Sequence, residues 1–129
     1  MRTIDLAYRI LWATIEEHPG LWEILWEVNM ELPNNDVAEN RKIAMKILKI
    51  FVEHKIVEVY LSKWGHEEME VKKSTEAVII LEDLKNWIPP TLNEPCVKLG
   101  NTEKGEKSYS EKRLNSLFLN NTGSIILPN

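Results

Sequence analysis

Residues 36–61, DVAENRKIAMKILKIFVEHKIVEVYL, decide the predicted fold because they join a long helix to a strand. Asp36 is a favourable N-cap, and Glu39 three residues later completes a pattern that resembles a capping box. The apolar positions that follow recur at helical spacing and are Ile43, Ala44, Ile47, Leu48, Ile50 and Phe51. From Ile56 to Leu61 the chain is rich in Val, Ile and Tyr, which predicts a strand. We therefore expect one helix over 35–54, followed at once by this strand.

Two shorter helices are predicted before this segment. Thr3 is a suitable N-cap for the first, and Pro19 with Gly20 ends it, since proline cannot continue a helix. The apolar residues of this helix share one face and are Ile4, Ala7, Tyr8, Leu11, Trp12 and Ile15. This periodicity assigns Trp12 to the core. The second helix follows Gly20, and its apolar face consists of Leu21, Ile24, Leu25, Val28 and Leu32.

The rest of the chain is predicted to add two helices and one strand. Ser74 and Thr75 are candidate caps for a fourth helix, whose buried residues should be Ala77, Ile80, Leu81 and Leu84. Cys96 to Leu99 is a short strand, which we expect to pair antiparallel with the strand over 56–61. Thr102 is the expected cap of a last helix, and the apolar side of that helix consists of Tyr109, Leu114, Leu117 and Phe118.

Two of these segments resemble parts of winged-helix proteins of the MarR and PadR type. The run ILKIFVEHKIVEVY, residues 47–60, is similar to the end of a winged-helix third helix that leads into the first wing strand. Lys55 stands where that family commonly has glycine. The run NTEKGEK, residues 101–107, is similar to the LTEKGR element that begins the final helix, and its central four residues match.

The resemblance implies a mainly α (α+β) fold, namely a winged-helix-like three-helix core with a small antiparallel ribbon and a C-terminal helix. It covers roughly residues 4–61 and 96–118. We expect a single domain over 1–129, with a helical insertion in the wing over 62–95. The C-terminal tail over 114–129 carries no charged side chain, and its last residues, Ser124 to Asn129, are expected to pack on the body or on a partner. Winged helices bind either DNA or protein, so the fold leaves both functions open.

Composition and charge narrow the function classes. The 129 residues carry 16 Lys and Arg against 20 Asp and Glu, and this net charge of −4 argues against a generally basic protein that coats nucleic acid. Acidic charge concentrates in residues 1–33 and 65–97, which each carry a net charge of −4. No apolar stretch approaches the roughly 18 residues that span a bilayer. The start, MRTIDLAYRI, does not resemble a signal peptide, so a cytoplasmic location is expected.

The leading hypothesis is a non-enzymatic, acidic protein-binding module. Its most concrete form is an inhibitor or immunity-type protein that neutralises a basic partner such as a nuclease toxin. Glu23, Glu27 and Glu31 repeat every four residues and form an acidic ridge along the second helix. Tryptophan beside charge is a typical anchor for a protein partner. The candidate partner-binding residues are Glu23, Glu27, Glu31, Trp22, Trp26, Trp64, Glu67, Glu68 and Glu70.

The alternative hypothesis is a winged-helix transcriptional regulator that binds DNA. Lys and Arg contact phosphates, whereas Asn and Arg near the start of a recognition helix read bases. The candidate nucleic-acid residues are Asn35, Asn40, Arg41, Lys42, Lys46 and Lys49. Asp36 and Glu39 lie in the same first turn and would repel the phosphate backbone, which favours the protein-binding hypothesis.

No motif indicates an enzyme, a cofactor or a metal. Cys96 has no histidine near it in the sequence, so we expect a buried structural thiol rather than a nucleophile. The five glycines are scattered and form no phosphate-binding loop. The adjacent carboxylates Glu16 and Glu17 do not indicate an acid–base dyad. The three histidines lie far apart in the sequence, at His18, His54 and His66.

Overall fold

The computed structural model describes residues 3–63, 69–91 and 94–120. In this part of the chain there are six α-helices and one antiparallel sheet of three strands. The elements are α1 (Thr3–Glu16), α2 (Leu21–Glu31), α3 (Val37–Glu53), β1 (Val57–Lys63), β2 (Met69–Val71), α4 (Ser74–Glu82), a 3-10 turn (Leu84–Trp87), β3 (Pro95–Asn101), α5 (Glu103–Ser110) and α6 (Leu114–Asn120). The fold is thus mainly helical with a small antiparallel sheet, as the sequence predicted.

The three strands are arranged in the order β2-β1-β3. β1 pairs antiparallel with β3 along its whole length, from Val57 opposite Asn101 to Lys63 opposite Pro95. The predicted pairing of the two strands is therefore confirmed. A single bridge joins Gly20 to Lys98, so the connection between α1 and α2 lies along the other edge of β3. β2 and α4 both lie between β1 and β3 in the sequence, and α4 packs against α3.

The predicted long helix is confirmed, and local hydrogen bonds explain both of its ends. Asp36 Oδ1 accepts the Glu39 N–H at 2.8 Å, which caps α3. At the other end Lys55 has a φ of 59°, a left-handed conformation that favours glycine. The Ile56 N–H donates to the Phe51 carbonyl at 2.8 Å, and this Schellman arrangement turns the chain directly into β1.

The start of α5 is fastened to this turn. Thr102 Oγ1 accepts the Gly105 N–H at 3.0 Å and donates to the Lys55 carbonyl at 2.7 Å. A Cβ on Gly105 would lie 2.3 Å from the Ile56 carbonyl oxygen, so only glycine permits this close approach. The two segments that resemble winged-helix elements therefore contact each other in space.

The hydrophobic core lies between α1, α2 and α3 and the inner face of the sheet. Phe51 of α3 is fully buried, and its ring meets Phe118 of α6 edge-on at 6.0 Å. Burial of a side chain of this size contributes about 1.5–3 kcal/mol of transfer free energy. No helix in the described part of the chain has the length and apolar character needed to cross a membrane.

The predicted buried face of α1 is wrong, because the face that is buried is rotated about the helix axis from the predicted one. The residues that are buried are Leu6, Ala7, Ile10, Leu11 and Thr14. Trp12, which the periodicity assigned to the core, is 43% exposed. Because α1 is apolar on most of its circumference, two stripes fit its sequence and both contain Ala7 and Leu11. Only the packing of its neighbours decides between the two stripes.

Three local predictions in the second half of the chain are also wrong. Lys73, rather than Ser74 or Thr75, is the N-cap of α4, and no side chain caps that end. Leu84 is 52% exposed because α4 has already ended at Glu82. The last helix divides into α5 and α6 at Lys112, which has a φ of 53°.

Candidate partner-binding site

The acidic ridge of Glu23, Glu27 and Glu31 lies on the side of α2 that faces α1, and all three residues are half-buried. The Glu23 carboxylate accepts the Gly20 N–H at 3.1 Å and so stabilises the first turn of α2. Glu31 forms an ion pair with Arg9 of α1 at 3.1 Å. The ridge is therefore partly structural, and Glu27 is its member with neither an ion pair nor a side-chain hydrogen bond among the described residues.

A groove of about 310 Å³ runs between α1 and α2 beside this ridge. Four carboxylates line it, and the only basic side chain that the described part of the chain contributes is Arg9, whose charge is already paired with Glu31. Glu16, Glu17 and Glu27 have no basic partner among the described residues. The described residues that line the groove are Arg9, Trp12, Ala13, Glu16, Glu17, Pro19, Glu23, Ile24 and Glu27. We call this surface the acidic groove.

Two of these carboxylates stand where the helix itself disfavours them. Glu16 is the last residue of α1 and Glu17 follows it, and the last turn of α1 holds no basic residue. The C-terminus of a helix carries partial negative charge, so each acidic group there costs a few tenths of a kcal/mol. Neither carboxylate gains an ion pair within the described residues in return. The stability of the fold therefore does not explain their presence.

A cluster of three aromatic side chains, Tyr8, Trp12 and Tyr109, borders the acidic groove. Its indole stacks on Tyr109 of α5 with ring centroids 5.0 Å apart and an interplanar angle of 30°. Tyr109 meets Tyr8 edge-on at 5.9 Å, and the Tyr8 hydroxyl donates to Asn115 Oδ1 at 3.0 Å. Desolvation by burial raises the pKa of Tyr8. The Trp12 ring is thus held in place while 43% of the residue stays exposed.

The structure divides the predicted partner-binding set. Glu23 and Glu27 line the acidic groove. Trp26 is 55% exposed on α2, and Trp22 packs over Gly20 with Lys98 Nζ 5.7 Å from its ring centre. The other two acidic candidates with described positions do not line the groove, and both are in ion pairs, Glu31 with Arg9 at 3.1 Å and Glu70 of β2 with Lys72 at 3.1 Å. Trp64, Glu67 and Glu68 lie outside the described residues.

Several residues of the acidic groove were not predicted as site residues. Glu16 and Glu17 were considered only as a catalytic dyad, and Trp12 was assigned to the core. One signal in the sequence does point to Glu16 and Glu17, namely two adjacent carboxylates at the end of a helix that Pro19 stops two residues later. No comparable signal identifies Tyr109, because its contact with Trp12 joins segments far apart in the sequence.

Half of the predicted nucleic-acid set, namely Asn35, Asn40 and Lys49, is engaged within the fold. Asn40 is 1% exposed and donates to Asn29 Oδ1 at 2.8 Å and to the Leu32 carbonyl at 3.2 Å. Its own side-chain oxygen accepts from Asn35 Nδ2 at 3.1 Å. The expectation that Asn40 reads bases is therefore wrong, since its side chain is a buried bridge between α2 and α3.

The basic side chains of that set differ in exposure. Lys49 pairs with Glu82 of α4 at 3.5 Å. Arg41 is half-buried, whereas Lys42 and Lys46 are exposed. The exposed positive charge of α3 thus consists mainly of Lys42 and Lys46, and α4 packs along the same helix.

Other chemistry-bearing groups do not assemble into a reactive site among the described residues. Cys96 is buried, and burial raises the pKa of its thiol, which disfavours the nucleophilic thiolate. The Tyr60 hydroxyl donates to Glu58 Oε2 at 2.6 Å, and this bond raises the pKa of Tyr60 to about 12. No group of three or more His, Cys, Asp or Glu side chains in the described ranges is placed to hold a metal ion.

The chain matches no protein-family model, no curated protein and no solved structure.

Proposed function

We propose that this protein is a non-enzymatic binding module that captures a basic protein partner through the acidic groove. The observation that carries the proposal is the set of uncompensated carboxylates, Glu16, Glu17 and Glu27, beside an exposed and immobilised Trp12. In its most concrete form the protein is an inhibitor or immunity-type protein that covers the active cleft of a basic enzyme such as a nuclease toxin.

Electrostatic steering explains how such a surface acts. A negative groove attracts a basic partner and raises the association rate, and this effect weakens as salt screens the charges. A desolvated aromatic side chain at the centre then slows dissociation, because such anchors supply most of the binding free energy. The protein neutralises its partner by occlusion and needs no catalytic group.

The proposal is tested by affinity capture from the native host, with mass spectrometry to identify the partner. The wild-type chain is compared with a Glu16→Lys, Glu17→Lys double variant, and we expect the variant to lose the partner. Glu53→Lys is the matched control, because Glu53 is an exposed carboxylate at the end of α3 outside the groove. The association rate of the purified complex should fall as salt rises. Equal capture by all three chains, or capture that is indifferent to salt, would refute the proposal.

A winged-helix DNA-binding regulator is the second candidate. The contact of Thr102 and Gly105 with the turn at Lys55 supports it, because the two winged-helix-like segments meet as consecutive parts of one such domain. The bridge from Gly20 to Lys98 places the connection between the first two helices along β3, which also suits this topology. The engaged state of Asn40 and Lys49 argues against base reading by α3.

Duplex DNA distinguishes the two candidates. We expect weak, non-specific binding at physiological salt, because the chain has a net charge of −4 and phosphate contacts supply most non-specific affinity. The measurement is fluorescence anisotropy with duplexes enriched from a random pool. Nanomolar binding of one enriched duplex, lost in a Lys42→Glu, Lys46→Glu double variant, would favour the regulator and overturn the leading proposal.

A further inference from the structure

We propose that Trp12 receives an arginine side chain of the basic partner, in a segment that lies across α1. This inference rests on the proposed function and adds to it the chemical identity of the partner's central residue. It also moves the centre of the interface from the tryptophans of α2 to α1.

A second depression beside Trp12 supports this position. It has a volume of about 480 Å³, lies between α1 and α5, and is lined by Trp12, Ile15, Glu103, Glu106, Lys107, Tyr109 and Ser110. Trp12 borders both this depression and the acidic groove. The exposed indole therefore stands at the middle of one continuous surface that spans α2, α1 and α5.

The charges around Trp12 select a basic occupant. Six carboxylates line the two depressions, against the basic side chains of Arg9 and Lys107. Both of these basic groups are already in ion pairs, Arg9 with Glu31 at 3.1 Å and Lys107 with Glu103 at 3.6 Å. The acidic side chains that remain are placed on both sides of the ring, so a segment crossing α1 meets negative charge before and after Trp12.

The geometry of the ring favours arginine over lysine. The stack on Tyr109 occupies one face of the Trp12 indole, and 43% of the residue remains exposed for a further contact. A guanidinium group stacks flat on an aromatic face and can also form bidentate hydrogen bonds with a neighbouring carboxylate. An ammonium group acts as a compact and strongly hydrated charge and gains less from the same site. The stacked pair of Trp12 and Tyr109 leaves little motion to be lost when such a group binds.

Oligoarginine and oligolysine peptides of equal length are the probes for the test, and titration calorimetry is the measurement. We expect the wild-type chain to bind both, with the arginine peptide bound about fivefold more tightly, as for a partly desolvated cation–π contact. Trp12→Leu should abolish this preference, and Trp12→Phe, which keeps an aromatic face, should retain part of it. Leu84→Ala is the matched control, because Leu84 is exposed at 52%, lines neither depression and should leave both affinities unchanged.

A second measurement on the unaltered chain keeps the test independent of folding defects. The Trp12 indole N–H resonance, assigned by its disappearance in Trp12→Phe, should shift on addition of the arginine peptide. Equal affinity for the two peptides, or an arginine preference that survives in Trp12→Leu, would overturn the inference and leave the proposed function standing. If the wild-type chain binds neither peptide, the proposed function fails together with the inference.

Discussion

The acidic groove and the basic side of α3 carry opposite charges, and they differ in how those charges are arranged. On α3, Lys49 pairs with Glu82 and the polar Asn40 is fully engaged between two helices, which leaves Lys42 and Lys46 exposed without an ion pair among the described residues. In the groove, Glu16, Glu17 and Glu27 have no basic partner among the described residues, and they lie in one concave surface beside Trp12. A cleft lined by one sign of charge focuses the electric field and attracts a partner of opposite sign. The contrast favours the groove, rather than α3, as the candidate interface.

The largest effect expected from this contrast is on stability, at Asn40. Asn40→Ala removes three hydrogen bonds and leaves the Leu32 carbonyl and the side chains of Asn29 and Asn35 without this partner. We expect the free energy of unfolding to fall by about 2–3 kcal/mol, measured by urea denaturation. Lys42→Ala on the exposed side of the same helix should change it by less than about 0.5 kcal/mol. If the two substitutions lower the free energy of unfolding by similar amounts, Asn40 does not have the structural role that its buried hydrogen bonds indicate.

The groove should show the opposite relation between stability and function. Replacing Glu16 and Glu17 with lysine converts an unfavourable interaction with the end of α1 into a favourable one. We expect the double variant to gain about 0.5–1 kcal/mol of unfolding free energy while it loses the basic partner.

Thermal denaturation at low salt measures this gain, since salt screens the helix dipole. Glu53→Lys, at the end of α3, should also be mildly stabilising but should retain the partner. A double variant that is less stable than the wild-type chain would show that Glu16 and Glu17 have a structural role.

Most of the fold could be predicted because local signals agree with tertiary packing. Asp36 caps α3, Thr102 caps α5, and the run of β-branched residues after Lys55 forms β1. Trp12 could not be placed, since α1 offers two apolar stripes and only its packing against α2, β3, α5 and α6 determines which one is buried. The helical break at Lys112 was missed because a lysine in a left-handed conformation carries no sequence signal.

The candidate site was predictable only in part, for a related reason. The spacing of Glu23, Glu27 and Glu31 places them on one face of a helix whatever surrounds it. It does not reveal that Glu31 is neutralised by Arg9, or that Glu16 and Glu17 stand across the same groove. Glu103 and Glu106 come from a helix nearly at the other end of the chain. The site is formed by the packing of three helices, and no local pattern encodes that packing.

The smallest effect is expected at the turn that ends α3, where Lys55 adopts a φ of 59°. A residue with a Cβ is strained in this conformation, whereas glycine is not. Glycine also makes the unfolded chain more flexible, which offsets part of the gain. We therefore expect Lys55→Gly to raise the free energy of unfolding by about 0.5 kcal/mol. Lys112→Gly is the matched case, because Lys112 ends α5 in the same conformation with a φ of 53°. Lys55→Asn removes the same charge as Lys55→Gly but relieves the backbone strain only in part, so the difference in stability between the two variants reports the strain rather than the loss of a cation at the end of a helix.

These small differences require chemical denaturation of all four chains under one set of conditions. Backbone strain acts at both turns, so the two glycine variants should be stabilised to a similar extent, and Lys55→Asn should be stabilised less than Lys55→Gly. Thr102 holds the Lys55 carbonyl at 2.7 Å, so the left-handed conformation at Lys55 is maintained by α5 as well as by the end of α3. If Lys55→Gly destabilises the protein while Lys112→Gly stabilises it, the lysine side chain at position 55 contributes more than its backbone strain costs. The end of α3 would then be a second place on this helix where the fold makes internal use of a basic side chain, as it does at Lys49.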